Sequence, residues 1–257
     1  MLRWYYFLGL LTVLINLKNI PMKKNFEFKS TLKILSATLF VVLFLTACNK
    51  DEDLTPIPTA HLMAFNLAVD KPAVGFTLSG NQFGNNVLDY SAYTGTYLPI
   101  FTDSREVRSF DFTTGSTIAI NQHNFSDSAY YSAFLIGYDG DYKNVVVQDD
   151  YDQVTPVSSG KAWVRYINAI ADSTLSSSVS IGTVDDNSAY GTVSPFSQVN
   201  AGSVDVTVSS GSSFDVQRTI ELEENKIYTI LFIGSPNHQD PDKTVAIRFI
   251  ENGTATL

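Results

Sequence analysis

The sequence predicts an all-β fold made of two tandem antiparallel β-sandwiches. Three observations carry this reading. The clear periodicities are two, not 3.6: Val204-Asp205-Val206-Thr207-Val208 alternates as a half-buried strand should, and Thr219-Ile220-Glu221-Leu222 does the same. Turn signals punctuate the runs, at Ser79-Gly80-Asn81, Thr114-Gly115-Ser116, Asp139-Gly140, Ser210-Gly211 and Glu224-Asn225-Lys226. The chain also repeats itself. Ala60 to Asp70 lines up with Ala162 to Asp172, sharing the Ala, Asn and Asp and most apolar positions. Ser91-Ala92-Tyr93-Thr94-Gly95-Thr96 lines up with Ser188-Ala189-Tyr190-Gly191-Thr192, and Tyr131 to Gly137 with Tyr228 to Gly234.

Residues 1–21 hold an apolar run, Trp4 to Leu17, in front of a second one. Met22 begins a complete export signal by itself: Lys23, Lys24, Lys29 and Lys33, the apolar run Ile34 to Leu45, then small residues before Cys48. Residues 1–21 are therefore expected to be a start-site artefact, the rival reading being a short extra membrane segment. Residues 22–47 read as a signal peptide, since Ile34 to Leu45 is too short to span a bilayer as a helix. Leu45-Thr46-Ala47-Cys48 resembles a bacterial lipobox, and Cys48 is the only cysteine in 257 residues. The resemblance implies acylation at Cys48 and durable anchoring by several acyl chains; a plain signal peptide with an accidental cysteine is the alternative. Residues 48–58 form an acidic tether. Its Lys50-Asp51-Glu52-Asp53 resembles the export signal of surface lipoproteins in the Bacteroidetes group, which implies an outer-membrane protein facing the cell surface.

Behind the tether, the repeats place a first sandwich at 59–149, a linker with Pro, Ser and Gly at 150–159, a second sandwich at 160–251, and a tail at 252–257. Tyr228 to Ile233 is a continuous apolar run, as expected of a central strand covered on both faces. The second repeat resembles the bacterial family of domain of unknown function 4397. The shared features are Val164-Arg165-Tyr166-Ile167-Asn168-Ala169 through Asp172, Tyr190-Gly191-Thr192, Asn200-Ala201-Gly202 before a Val-rich strand, and Glu224-Asn225-Lys226 before Tyr228-Thr229 and a closing Gly234. The first repeat is more divergent and has no Ala-Gly before its Arg105–Phe112 strand. The resemblance implies immunoglobulin-like sandwiches and brings no established activity.

Six of the 17 Lys and Arg and one of the 26 Asp and Glu precede Cys48, leaving 11 and 25, a net charge near −14. Such a surface repels phosphate backbones, which argues against nucleic acid as partner. Once Cys48 is acylated no thiol remains for a disulfide, so packing alone must hold the domains. His61, His123 and His238 have no metal-ligand spacing, and neither a Gly-x-Ser-x-Gly elbow nor a phosphate loop is present. No catalytic residue is identified and no enzyme activity is expected. The acidic loops give weak calcium candidates, Asp139, Asp141, Asp149, Asp150 and Asp152, with Asp185-Asp186-Asn187 and Asp240-Pro241-Asp242 in the second repeat; plain turn chemistry is the competing reading. Asp127-Ser128-Ala129 and Asp172-Ser173-Thr174 are similar to Bacteroidetes O-glycosylation acceptors, marking Ser128 and Ser173. Tyrosines are plentiful in the first repeat, and those on loops, such as Tyr93 and its partner Tyr190, are candidates for stacking on a glycan or a protein. The expected function is binding, adhesion or scaffolding without catalysis; a ligand-free envelope spacer and an accessory to a polysaccharide-processing system are the alternatives.

Overall fold

The computed structural model describes residues 56–156, 160–171 and 176–255. The expected signal peptide, Cys48 and Ser173 lie outside the described residues. The described chain is all-β: sixteen strands, two single 3-10 turns and no α-helix. The first eight strands are β1 (Thr59–Ala68), β2 (Val74–Leu78), β3 (Asn81–Leu88), β4 (Leu98–Phe101), β5 (Asp103–Asp111), β6 (Thr117–Phe125), β7 (Tyr130–Tyr138) and β8 (Asp141–Gln148). The next eight are β9 (Lys161–Ile170), β10 (Ser177–Ile181), β11 (Val184–Ser188), β12 (Ser197–Asn200), β13 (Gly202–Ser210), β14 (Phe214–Leu222), β15 (Lys226–Gly234) and β16 (Ala246–Thr254).

They form four four-stranded sheets, with orders β4-β1-β7-β8, β3-β2-β5-β6, β12-β9-β15-β16 and β11-β10-β13-β14. Adding eight to each label of the first two sheets gives the last two, so both halves of the chain follow one topology. Two sheets are antiparallel throughout. The other two depart from the expected antiparallel pairing: β1 lies parallel to β7, and β9 parallel to β15. These pairs are separated by five intervening strands, and such a crossover leaves direction free where a tight hairpin would not. The order also differs from the constant-type immunoglobulin arrangement, in which the first strand pairs with the second. Here the first strand of each half sits between the fourth and the seventh.

The described residues from Pro56 onward form one compact unit, with the four sheets as its layers. Ala60, Leu62 and Ala64 of β1, Val74 and Phe76 of β2, Val107 of β5 and Leu135 of β7 fill the space between the first two sheets. Val164 and Tyr166 of β9, Val179 of β10, the row Val204, Val206, Val208 of β13, and Phe232 of β15 do the same in the second half. A third core lies between the halves. Met63, Phe65 and Leu67 of β1 and Phe134 and Ile136 of β7 pack against Ile167, Ala169, Leu231 and Ile233 of β9 and β15. The central strands are therefore covered on both faces, which is why β1, β7, β9 and β15 read as near-continuous apolar runs while β5 and β13 alternate.

Each half repeats the same local devices. The buried Asn66 carboxamide donates to the carbonyls of Lys71 and Leu88, and Asn168 donates to that of Ser188, tying a central strand to the end of β3 or β11 in the other sheet of its half. The Tyr131 hydroxyl accepts the Ser126 amide at 2.9 Å, and that of Tyr228 accepts the Glu223 amide at 3.0 Å, each five residues upstream. Gly137 is the second-last residue of β7 and Gly234 the last of β15, with φ 143° and 100°. The second sequence match needs a shift of register. Ser91 and Gly191 both donate to the carbonyl of the motif asparagine, Asn66 or Asn168, and both have positive φ, 64° and 84°. The equivalent pairs are thus Tyr90-Ser91 with Tyr190-Gly191, and Tyr93 matches Val193 rather than Tyr190. Ser91-Ala92-Tyr93 and Ser188-Ala189-Tyr190 align as strings only because two tyrosines three residues apart flank the first turn.

The joint between the halves is packed as far as it is described. A 3-10 turn spans Tyr151–Gln153, Val154 is buried with Trp163 and Ile227, and the Trp163 Nε1–H donates to the Thr155 carbonyl at 2.9 Å.

Candidate functional site

The middle of the seam between the halves is apolar, and at one end a buried polar network crosses it. Arg165 extends from β9, a strand whose neighbours Val164, Tyr166 and Ile167 are all buried, and its own side chain is 2% exposed. A guanidinium there must be matched by charge and hydrogen bonds, because a bare buried charge costs several kcal/mol. Its Nη1 donates to Asp149 Oδ1, its Nη2 to Ser132 Oγ at 2.9 Å, and its Nε to Thr229 Oγ1 at 2.9 Å. Ser132 and Thr229 occupy equivalent positions on β7 and β15, so both halves hold the same arginine. Ser132 donates onward to Asp149 at 2.7 Å, and Thr229 to Asn252 Oδ1 at 2.7 Å. Burial by itself would lower the Arg165 pKa; the adjoining Asp149 carboxylate overrides it and the value is raised. The Phe196 ring lies 4.7 Å from the guanidinium carbon.

Three tyrosines stand over this network. The Tyr97 hydroxyl donates to Asp149 Oδ2 at 2.5 Å and lies 2.7 Å from the Tyr151 hydroxyl. Rings of Tyr97, Tyr130 and Tyr151 meet edge to face, with centroids 5.1, 6.1 and 5.5 Å apart. At these separations each edge fills its neighbour's face, so the cluster leaves no cage for a cation between its rings; its outer faces remain for stacking. Tyr130 is 38% exposed and stacks on His61 at 4.8 Å. Burial, reinforced by Asp149, pushes the Tyr151 phenol up to about 12 and raises that of Tyr97 further. The three rings, with Val154, Ile227 and residues Asn252 to Ala255, line a cleft of about 310 Å3. Asn252 Nδ2 is buried there without a well-formed hydrogen bond among the described residues, close enough to the Tyr151 hydroxyl to oppose the rise of that phenol's pKa. The lining contains no charged side chain.

This geometry reassigns most of the sequence candidates. Asp149 is the counter-ion of Arg165 and is unavailable to calcium. Asp139 and Gly140, with φ 50° and 94°, make the two-residue turn between β7 and β8, and Asp141 pairs with Tyr138 across it. That turn and the Asp149–Asp152 segment sit at opposite ends of β8, so the five aspartates do not form one site. Asp150 bonds Gln153, and Asp152 is exposed. Among the described residues no cluster of three or more metal-ligating side chains exists. Asp186 accepts from the Tyr166 hydroxyl, and Asp240 caps a 3-10 turn by accepting the Asp242 amide. Ser128 is exposed on the turn between β6 and β7.

Tyr93 stacks on Phe65 at 5.4 Å inside the seam, and Tyr190 packs against the same core with Lys143 over its ring. Neither is a free loop tyrosine. The histidines stay apart: His61 on Tyr130, His123 against Phe125 and Tyr131, His238 accepting the Asp240 amide. Sequence reasoning passed over Arg165 as a functional residue. The available signal was a charge inside a run destined for burial on both faces, at the position where the first half has Met63.

No helix among the described residues is long and apolar enough to cross a membrane. No curated protein matches the sequence. Residues 162–256, the span from β9 to just past β16, match the family model described as Domain of unknown function (DUF4397).

Proposed function

We propose that this is a non-catalytic binding protein of the cell envelope, acylated at Cys48, held at the outer membrane and facing outward, with a divergent second copy of the same domain in its first half. The observation that carries the binding reading is the uncharged, tyrosine-walled cleft at the seam, with an exposed Tyr130 face and the Asn252 amide in its lining. Clefts with apolar and aromatic walls and a few convergent polar groups are the usual form of small-ligand sites. A glycan ring or a flat side chain of a protein fits such walls. The fused four-layer block favours a second reading, a stiff spacer with no ligand, because a shared core and a buried ion pair give rigidity whether or not anything binds.

Probing arrays of glycans and extracellular proteins with the purified full-length protein in detergent separates the two. Saturable binding that Tyr130→Ala abolishes without lowering the melting temperature supports the cleft. Absence of any saturable ligand, or binding indifferent to Tyr130, leaves the spacer. Protease treatment of intact and lysed cells tests the outward orientation independently.

A further inference from the structure

A second opening lies on the other side of β4 from the tyrosine cleft. It has a volume of about 470 Å3 and runs between the edge strands β3 and β4. Its floor is apolar, with Leu78, Phe83, Leu98 and Ile100, and Asn81, Gln82 and Asn85 offer amides at its rim. Arg105 is the only charged residue in the lining, in a chain with nine more acids than bases.

The position of Arg105 is unusual. On β5 it shares parity with the buried Val107, so it points into the space between the sheets rather than out to solvent. The matching register of the second half is fixed by hydrogen-bonded pairs: Leu78 with Val107 corresponds to Ile181 with Val206, and Asp103 with Phe125 to Gly202 with Leu222. Arg105 therefore stands where the second half has Val204, a core residue 5% exposed. A sandwich of this topology closes with valine there; the first half places a cation instead, beside an open groove. The Nε–H of Arg105 is shared between the Phe101 and Thr102 carbonyls at 2.9 and 3.1 Å, which aims the rest of the guanidinium. No carboxylate lies within ion-pair distance of it among the described residues. Phe101, 57% exposed, packs against it at 5.5 Å.

The two openings flank β4, with Tyr97 lining the first and Leu98 to Phe101 the second. Leu98 and Ile100 of β4 face the sandwich core, while Tyr97 joins the seam and Phe101 is exposed. Pro99 pairs with His61, the residue on which Tyr130 stacks. From Tyr97 to Phe101 the chain covers roughly 13 Å, room for a short oligomer rather than a single ring.

Resting on the cleft as a binding surface, we infer that the ligand is an anionic saccharide. Its rings stack along Tyr130 and Phe101, and its hydroxyls meet Asn252 and the amides of Asn81, Gln82 and Asn85. Its charged group sits on Arg105, whose planar fork suits carboxylate and sulfate alike.

Calorimetric titration of the full-length protein with three probes tests this: hexagalacturonate, a sulfated galactose hexamer, and neutral galactohexaose. At least one anionic probe should bind about tenfold or more tightly than the neutral one, with an affinity that falls as salt rises. Arg105→Gln should erase that preference. Arg105→Val, which installs the residue of the second half and so keeps the fold, should erase it too. Tyr130→Ala should weaken every probe. Equal binding of charged and neutral probes, or an Arg105→Val protein that keeps the preference, overturns the inference and leaves the cleft standing. Loss with Arg105→Gln but no effect of Tyr130→Ala points to the groove alone and overturns the cleft. If no probe binds, the anionic saccharide is wrong, and the array result decides the cleft separately.

Discussion

Asp149 and Arg165, sixteen residues apart in sequence, form a buried ion pair that joins one half of the molecule to the other. Both side chains are essentially inaccessible to solvent, and Ser132, Tyr97 and Thr229 satisfy what the pair leaves over. The Arg165 position is filled by Met63 in the first half, so an uncharged seam is sterically reasonable.

Removing one partner should cost far more than removing both. Asp149→Ala or Arg165→Ala should each destabilise by about 3–5 kcal/mol, because the remaining charge stays buried without a counter-ion. Asp149→Asn combined with Arg165→Met should lose clearly less than the sum of its single changes. Denaturant unfolding of the wild type, the two Ala variants, Asp149→Asn, Arg165→Met and the double variant measures this, and additive losses in the Asn/Met cycle would mean that the pair is not coupled.

Gly137 and Gly234 give a steric prediction. A Cβ at Gly137 would run into the Asp141 carbonyl oxygen, and one at Gly234 into that of Thr244. Gly80 has φ 81° but open space around it. Gly234→Ala should therefore cost about 2–4 kcal/mol, and Gly80→Ala about 1–2 kcal/mol from backbone conformation alone. Melting temperatures of the two variants, compared under one condition, check the order.

Alkaline pH should destabilise the protein through its tyrosines. Burial pushes Tyr90, Tyr151, Tyr166 and Tyr190 to about 12, and Tyr97 higher still. An unfolded chain loses these protons near pH 10 while the folded protein keeps them. Stability from these groups is thus intact below pH 10 and falls as pH rises from 10 toward 12. The part of the tyrosinate absorbance that comes from these five residues should lag until the fold opens, and Tyr97→Phe should make the fall in stability shallower. A tyrosinate signal near pH 10 that Tyr97→Phe or Tyr151→Phe reduces while the fold is intact would contradict the buried network.

Calcium should leave stability unchanged. Asp149 is engaged by Arg165, and Asp139 serves a turn at the far end of β8. A melting temperature that rises with calcium and falls with chelator would show that the acidic loops rearrange into a site.

The strands were legible because each face leaves its own pattern. The alternation of Val204 to Val208 marks an outer sheet with one wet face, and the solid apolar run of Tyr228 to Ile233 marks a strand covered twice. What covers that second face was not legible, since periodicity records burial and not the identity of the neighbour. The same gap hid the role of Asp149. Followed by Asp150, Tyr151 and Asp152, it has the local composition of a solvated loop, and only the arrival of Arg165 from β9 makes it a buried counter-ion. Strand direction was invisible for a related reason: β1 and β7 meet through contacts distant in sequence, which no turn between them specifies. The tyrosines misled in the opposite way. Tyr93 and Tyr190 sit in loop-like sequence yet fill the seam, while the exposed Tyr130 opens a strand.

A shared seam core makes one strong demand. The two halves must unfold together, since parting them would expose Phe65, Phe134, Ile167 and Leu231 at once. Differential scanning calorimetry of the purified protein is the most direct test. One transition is predicted, with calorimetric and van't Hoff enthalpies in agreement, shifting as a unit in Arg165→Ala. Two separable transitions, only one of them moved by that substitution, would contradict the fused block and with it the cleft that the seam creates.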